Sequence, residues 1–181
     1  MKTLVIHPND RSTSFLDIVY NPIPDKTIIT GGINEDELHY LIESHDRVIM
    51  CGHGSPNGLF DIGQFKIPGQ YIINYRTVPF LNKKDNNIFI WCNADRFVEF
   101  HGLMGFYSGM FISEVGEAIY CGLPGTPQEV VDESNMGFCN ILAEHINKNQ
   151  IEMYEGVKSE YGMIAENNPV AFYNNKRLYL S

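Results

Sequence analysis

Two apolar segments of this 181-residue chain each end in a side chain that can take part in nucleophilic catalysis. Residues 47–54 are RVIMCGHG, which places His53 directly after an apolar run. Residues 87–93 are NIFIWCN, which places Cys92 at the end of a second run. An imidazole that accepts the proton of a thiol converts it into a thiolate, the reactive form of cysteine. The two segments therefore predict Cys92 as a nucleophile and His53 as its base.

The residues beside this pair suit a reaction at a carbonyl group. Glycines precede and follow His53, so a substrate could approach the backbone closely, and the N–H of Gly54 could bind an oxyanion. Asn93 follows Cys92 directly and is expected to cap a helix. The N–H groups at the start of that helix would add positive potential near the thiol.

The elements that must bring the pair together follow from hydrophobic spacing and from turn residues. Short apolar strands alternate with helices from the N-terminus onward, which predicts a parallel sheet with crossover helices in an α/β domain over residues 1–181. Strands are predicted near residues 4–6, 26–30, 48–50, 88–91 and 105–110, and hairpins at 59–68 and at 170–180. Helices are predicted near residues 12–20, 34–42, 95–101, 113–119, 127–147 and 151–166.

Composition and charge narrow the functional classes. The net charge of −9 argues against a nucleic-acid partner, which requires clustered Lys and Arg. No segment is long and apolar enough to span a membrane, and the apolar run at residues 4–6 is too short for a signal peptide. The four cysteines form no C-x-x-C pair, so we expect a reducing, cytoplasmic location. The six histidines lack metal-binding spacing, and neither a metal nor a cofactor is expected.

The order of an apolar strand, His-Gly, about forty residues, a second apolar strand and Cys resembles the caspase–gingipain type of cysteine peptidase. That group includes metacaspase, clostripain, separase and CHAT-domain proteins, and the resemblance covers roughly residues 1 to 123. It implies a caspase-like, three-layer α/β sandwich with a mostly parallel sheet, and a peptide or protein substrate. It also implies that His53 and Cys92 are catalytic and that the N–H groups of Gly54 and Cys92 bind the oxyanion.

In the family that the chain resembles, specificity comes from a pocket beside the cysteine. Glu114 and Glu117 follow the next strand, and Asp61 is a further candidate, so cleavage after Lys or Arg is one expectation. Each acid also has an ordinary structural interpretation. The two glutamates suit the first turn of a helix, and Asp61 suits a hairpin turn.

Two other functions remain open from the residues. The segment around Cys92, IWCNA, lacks the Asp before and the Gly after the cysteine that many of these peptidases carry, which would fit an inactive module that binds peptides or takes part in signalling. The hydroxyl-rich segment at residues 11–14 follows the first strand, where flavodoxin-like domains bind phosphate. Helix capping also explains that segment, which lacks the usual glycines.

Overall fold

The computed structural model describes residues 1–61 and 70–181, which form a central six-stranded sheet with helices on both faces. The strand order is β2-β1-β3-β7-β8-β9, and only β9 runs antiparallel to its neighbour. The strands are β1 (Thr3–Ile6), β2 (Lys26–Ile29), β3 (Arg47–Cys51), β4 (Gly54–Ser55), β5 (Gly58–Phe60), β6 (Tyr71–Ile73), β7 (Asn87–Ile90), β8 (Gly105–Ser108) and β9 (Leu178–Leu180). The helices are a 3-10 helix (Arg11–Leu16), α1 (Asp17–Tyr20), α2 (Glu35–Ser44), α3 (Val78–Leu81), α4 (Ala94–His101), α5 (Val115–Tyr120), α6 (Gln128–His145), α7 (Gln150–Ala165) and α8 (Pro169–Asn175).

The central strands are buried on both faces, which explains their nearly continuous apolar sequences. Successive side chains of a strand point to opposite faces, so each strand contributes to two cores. Val5 and Ile49 pack in the core that contains Phe138 of α6. Leu4 and Val48 pack in the other core, with residues of α2 and α4. The result is a three-layer α/β sandwich with a mostly parallel sheet, as the sequence predicts.

The small sheet formed by β4, β5 and β6 lies between β3 and β7 in the chain. Its strands pair antiparallel, with Gly54 opposite Leu59 and Leu59 opposite Ile73. The predicted hairpin strand at residues 59–63 therefore exists in its first part. The predicted partner strand at residues 64–68 falls outside the described residues.

The hairpin predicted at residues 170–180 is wrong in its first half, because residues 169–175 form helix α8. The Asn168 side chain accepts hydrogen bonds from the N–H groups of Val170 and Ala171, both at 3.0 Å. Pro169 occupies the first helical turn, where its missing N–H costs nothing. This capping outweighs the strand preference of the Val, Phe and Tyr residues that follow. The second half, β9, pairs with β8.

Within residues 1–61 and 70–181, no helix combines the length and the apolar character needed to cross a membrane. The longest helix, α6, has 18 residues and carries several acidic side chains. All four cysteines have free thiols, and Cys51 and Cys139 are buried in the core.

Candidate active site

The strands that precede His53 and Cys92 are direct neighbours in the sheet. In the β3–β7 ladder Cys51 lies opposite Ile90, and the Gly52 N–H donates to the Ile90 carbonyl at 3.1 Å. Both strands run in the same direction, so the residues that follow them emerge at the same edge of the sheet. His53 and Cys92 line one crevice there, with a volume of about 20 Å³. That space holds about one water molecule.

A chain of hydrogen bonds holds the His53 ring from the loop after β1. The Nε2 atom of His53 lies 2.7 Å from the hydroxyl oxygen of Ser12, and this hydroxyl donates to the Asp10 carboxylate at 2.7 Å. Because the hydroxyl gives its only proton to Asp10, it accepts the hydrogen bond from Nε2–H. In the neutral ring, Nε2 is then the nitrogen that carries the proton.

The Asp10 carboxylate anchors this chain of hydrogen bonds. Partial burial would raise the pKa of Asp10, but hydrogen bonds from the Ser12 hydroxyl and N–H and the nearby His53 lower it below its ordinary value. Asp10 is therefore negatively charged at neutral pH. The ionised carboxylate can only accept hydrogen bonds, so it fixes the direction in which the Ser12 hydroxyl donates.

Sequence reasoning assigned the hydroxyls of residues 12–14 to helix capping or phosphate binding and missed the contact with His53. The adjacency of β1 and β3 is the signal that could have found it, because the loops after neighbouring parallel strands meet. The hydrogen bonds of residues 11–14 do not support the alternative that this segment binds phosphate. The Ser12 N–H already donates to Asp10, and the Thr13 hydroxyl lies 3.1 Å from Nε2 of the buried His7.

Gly54 connects the His53 loop to the Cys92 strand. A Cβ atom at this position would lie 2.2 Å from Cδ1 of Trp91 and 2.6 Å from the Gly58 carbonyl oxygen. The Trp91 indole N–H also donates to the Ser55 carbonyl at 3.1 Å. The glycine after His53 is thus explained by the tight packing of Trp91. Its assignment as an oxyanion donor stays a prediction.

The Cys92 thiol is held in its neutral form. Its Sγ atom donates toward the Phe111 carbonyl at 3.3 Å and toward Oε1 of Glu117 at 3.4 Å. Burial raises the pKa of the Cys92 thiol far above its ordinary value, and the negative charge of Glu117 raises it further. In this conformation the thiol is therefore protonated at neutral pH, which is the opposite of an activated nucleophile.

The turn after Cys92 differs in one respect from the sequence prediction. Asn93 has a left-handed backbone, with φ of 66°, and is the one non-glycine residue with positive φ among residues 1–61 and 70–181. Asparagine tolerates this conformation better than most residues. Asn93 stands at the N-cap of α4, but its side chain makes no capping hydrogen bond there. The expected side-chain cap is wrong, since the sharp turn uses the backbone of Asn93 instead.

The three acids predicted to line a substrate pocket occupy different places. Glu117 accepts from the N–H and the hydroxyl of Ser113 at 2.7 and 2.9 Å, and its other oxygen faces Cys92. Glu114 lines a groove of about 680 Å³ together with Asp132. Phe15 and Ser113 line both this groove and the crevice. Asp61 is buried at the end of β5, where its carboxylate accepts from the Gly32 N–H at 3.2 Å.

The part of the chain that the structure describes contains no cluster of three or more His, Cys, Asp or Glu side chains suited to bind a metal ion. Comparison of the chain with models of known protein families, with curated proteins and with solved structures found no match.

Proposed function

We propose that the protein is a cysteine peptidase of the caspase-like type, with Cys92 as the nucleophile and His53 as the base. The observation that carries this proposal is the crevice shared by the two side chains at the ends of neighbouring parallel strands. The hydrogen-bonded Asp10–Ser12–His53 chain supports it, because it orients the imidazole.

The proposed reaction is acyl transfer to sulfur. The imidazole of His53 takes the thiol proton, and the thiolate of Cys92 attacks the carbonyl carbon of the scissile peptide bond. The N–H groups of Gly54 and Cys92 would stabilise the oxyanion. As the C–N bond breaks, the imidazolium gives its proton to the leaving amine. A water molecule then hydrolyses the thioester, which releases the new carboxylate and regenerates the thiol.

The described conformation would be the resting form of such an enzyme. The thiol must leave the Phe111 carbonyl and Glu117 before it can transfer its proton to His53. The crevice must also widen to admit a carbonyl group, because its volume matches about one water molecule. Phe15 and Phe111 line the crevice and are the side chains whose movement would open it.

The groove beside the crevice suggests which side chain precedes the scissile bond. Glu114 and Asp132 are exposed there, and the groove adjoins the crevice at Phe15 and Ser113. A Lys or Arg side chain of the substrate could pair with these carboxylates. We further propose that the protein acts in the cytoplasm, where its four free thiols would stay reduced.

A pooled peptide library analysed by mass spectrometry tests the proposal. We expect the wild-type protein to cleave a subset of peptides, with Lys or Arg before the scissile bond, and Cys92→Ala and His53→Ala to abolish cleavage. Cys121→Ala is the matched control, because it removes another partly exposed thiol and should leave cleavage intact. Cleavage that survives in Cys92→Ala would exclude the proposed nucleophile.

A second function, a peptide-binding module without catalysis, is favoured by the state of the thiol. The raised pKa of Cys92 and the small crevice both fit a site that performs no chemistry. This function predicts that the library is not cleaved and that iodoacetamide does not alkylate native Cys92 faster than a model thiol at any pH. A peptidase should instead lose its activity as Cys92 becomes alkylated.

A further inference from the structure

A second groove, here called the aromatic groove, lies on the other side of the site. Its volume is about 780 Å³, within the range of binding sites for small ligands. The groove is lined mainly by Tyr71, Tyr75, Arg76, Arg96, Phe100 and His101. One wall comes from β6 and the turn after it, and the other wall is α4.

Both walls belong to segments that closely follow His53 or Cys92 in the sequence. The small sheet that contains β6 begins directly after His53, and α4 begins two residues after Cys92. The hydrogen bond from Trp91 to Ser55 and the packing of Trp91 on Gly54 tie the two segments together. Arg96 lies about one helical turn beyond Cys92. The aromatic groove is therefore formed by the two segments that directly follow the candidate catalytic residues.

The lining combines exposed rings with positive charge. Tyr75 is 66% exposed and Phe100 is 84% exposed, so their faces are open to a ligand. Arg76 stacks on Tyr75, with its guanidinium 5.6 Å from the ring centroid, and forms an ion pair with Glu35 at 3.0 Å. Burial lowers the pKa of His101, so that its ring is neutral at pH 7.

Of the two arginines that line the groove, Arg76 pairs with Glu35, whereas Arg96 has no described carboxylate as a partner. It is exposed and forms no ion pair with a carboxylate among residues 1–61 and 70–181, and residues 62–69 contain no acidic side chain. No described residue that lines the groove is acidic, although the chain as a whole carries a net charge of −9. A guanidinium of this kind is suited to bind a carboxylate with two parallel hydrogen bonds.

We propose that the aromatic groove binds an acidic segment of the peptide substrate, with a Glu or Asp carboxylate on Arg96 and an aromatic side chain against Tyr75 or Phe100. This inference rests on the proposed peptidase function for its role in cleavage, but the binding itself does not require catalysis. The substrate class is then a peptide with a basic residue toward the Glu114–Asp132 groove and acidic residues on the other side of the scissile bond.

Fluorescence anisotropy with the Cys92→Ala protein tests binding without cleavage. The probe is fluorescein-labelled Gly-Glu-Phe-Asp-Tyr-Gly, and its matched control replaces Glu and Asp with Gln and Asn. We expect the acidic peptide to bind about fivefold more tightly than the amide peptide, as for an exposed ion pair. Adding Arg96→Gln should remove this difference. Lys2 lies just before β1, at the N-terminal ends of the parallel strands and away from the groove. Lys2→Gln removes the same charge and should leave the difference in affinity unchanged.

The possible results separate this inference from the proposed function. Equal affinity for the two peptides, or an acidic preference that survives Arg96→Gln, would overturn the inference even if the wild-type protein cleaves the library. An acidic preference that depends on Arg96, in a protein that cleaves nothing, would support the groove and overturn the peptidase. Displacement of the acidic peptide by oligothymidylate at lower concentration would overturn the inference, because aromatic and arginine side chains also suit single-stranded nucleic acid.

Discussion

The two side chains that face each other across the crevice, His53 and Cys92, differ in how well their conformation and protonation suit the proposed reaction. On one side, His53 is partly exposed, and a hydroxyl and a carboxylate fix its orientation. On the other side, the Cys92 thiol is half-buried, protonated and directed at two oxygen acceptors. In the proposed reaction, His53 would be in position before the substrate arrives, whereas the Cys92 thiol would still have to ionise. Ionisation of the thiol is therefore the step at which this site would be controlled.

Gly54 is the residue whose substitution would disturb both sides at once. An alanine Cβ would overlap Trp91 and the Gly58 backbone, and relief of that overlap must shift the His53 loop or the Cys92 strand. We expect Gly54→Ala to lower the free energy of unfolding by about 3 kcal/mol, at the upper end for overpacked sites. Urea denaturation followed by tryptophan fluorescence measures the change, since Trp91 is the only tryptophan.

Gly116→Ala in α5 is the matched control for that substitution. A Cβ at Gly116 meets no atom within 4 Å, and alanine favours a helix over glycine by about 0.5–1 kcal/mol. This variant should be as stable as the wild-type protein or slightly more stable. Equal stability of Gly54→Ala and the wild-type protein would show that the two sides are not joined as tightly as the contact distances imply.

Glu117→Gln addresses the nucleophile side alone. The amide keeps an oxygen to accept the hydrogen bonds of Ser113, but it removes the negative charge beside the thiol. The pKa of Cys92 should fall and remain above its ordinary value, because burial is its larger cause. We expect iodoacetamide to alkylate Cys92 several-fold faster at pH 7, because a lower pKa raises the fraction of thiolate.

Glu114→Gln provides the comparison, because it removes the same charge three residues away, in the adjoining groove. Its alkylation rate should match that of the wild-type protein. Rates measured from pH 6 to 10 by intact-protein mass spectrometry would distinguish the variants. If Glu117→Gln and the wild-type protein react equally at every pH, burial alone keeps the thiol neutral, and Glu117 plays no part in the contrast between the two sides.

The sequence revealed the strands and the parallel sheet more readily than the order of the strands in it. Apolar runs and the alternation of strands with helices are local signals that predict both strands, but the pairing of residues 49–51 with residues 88–90 is a tertiary contact that only the structure shows. The contact of Glu117 with Cys92 depends on where α5 packs, which no local pattern encodes. Helix α8 shows a second reason why a prediction from the sequence can fail. Its Asn168-Pro169 start was visible, but the side chains that follow also favour strands.

Ser12→Ala would test the base side with the smallest expected effect. The variant removes the hydroxyl between Asp10 and Nε2 of His53 but leaves both groups in place. One hydrogen bond contributes about 1 kcal/mol, so we expect kcat to fall about fivefold with KM unchanged. Steady-state kinetics on a cleaved library peptide would measure both constants, and Ser14→Ala, whose hydroxyl donates only to the Arg11 carbonyl, is the control. Equal kcat values for Ser12→Ala and the wild-type protein would show that the Ser12 hydroxyl does not orient the His53 ring.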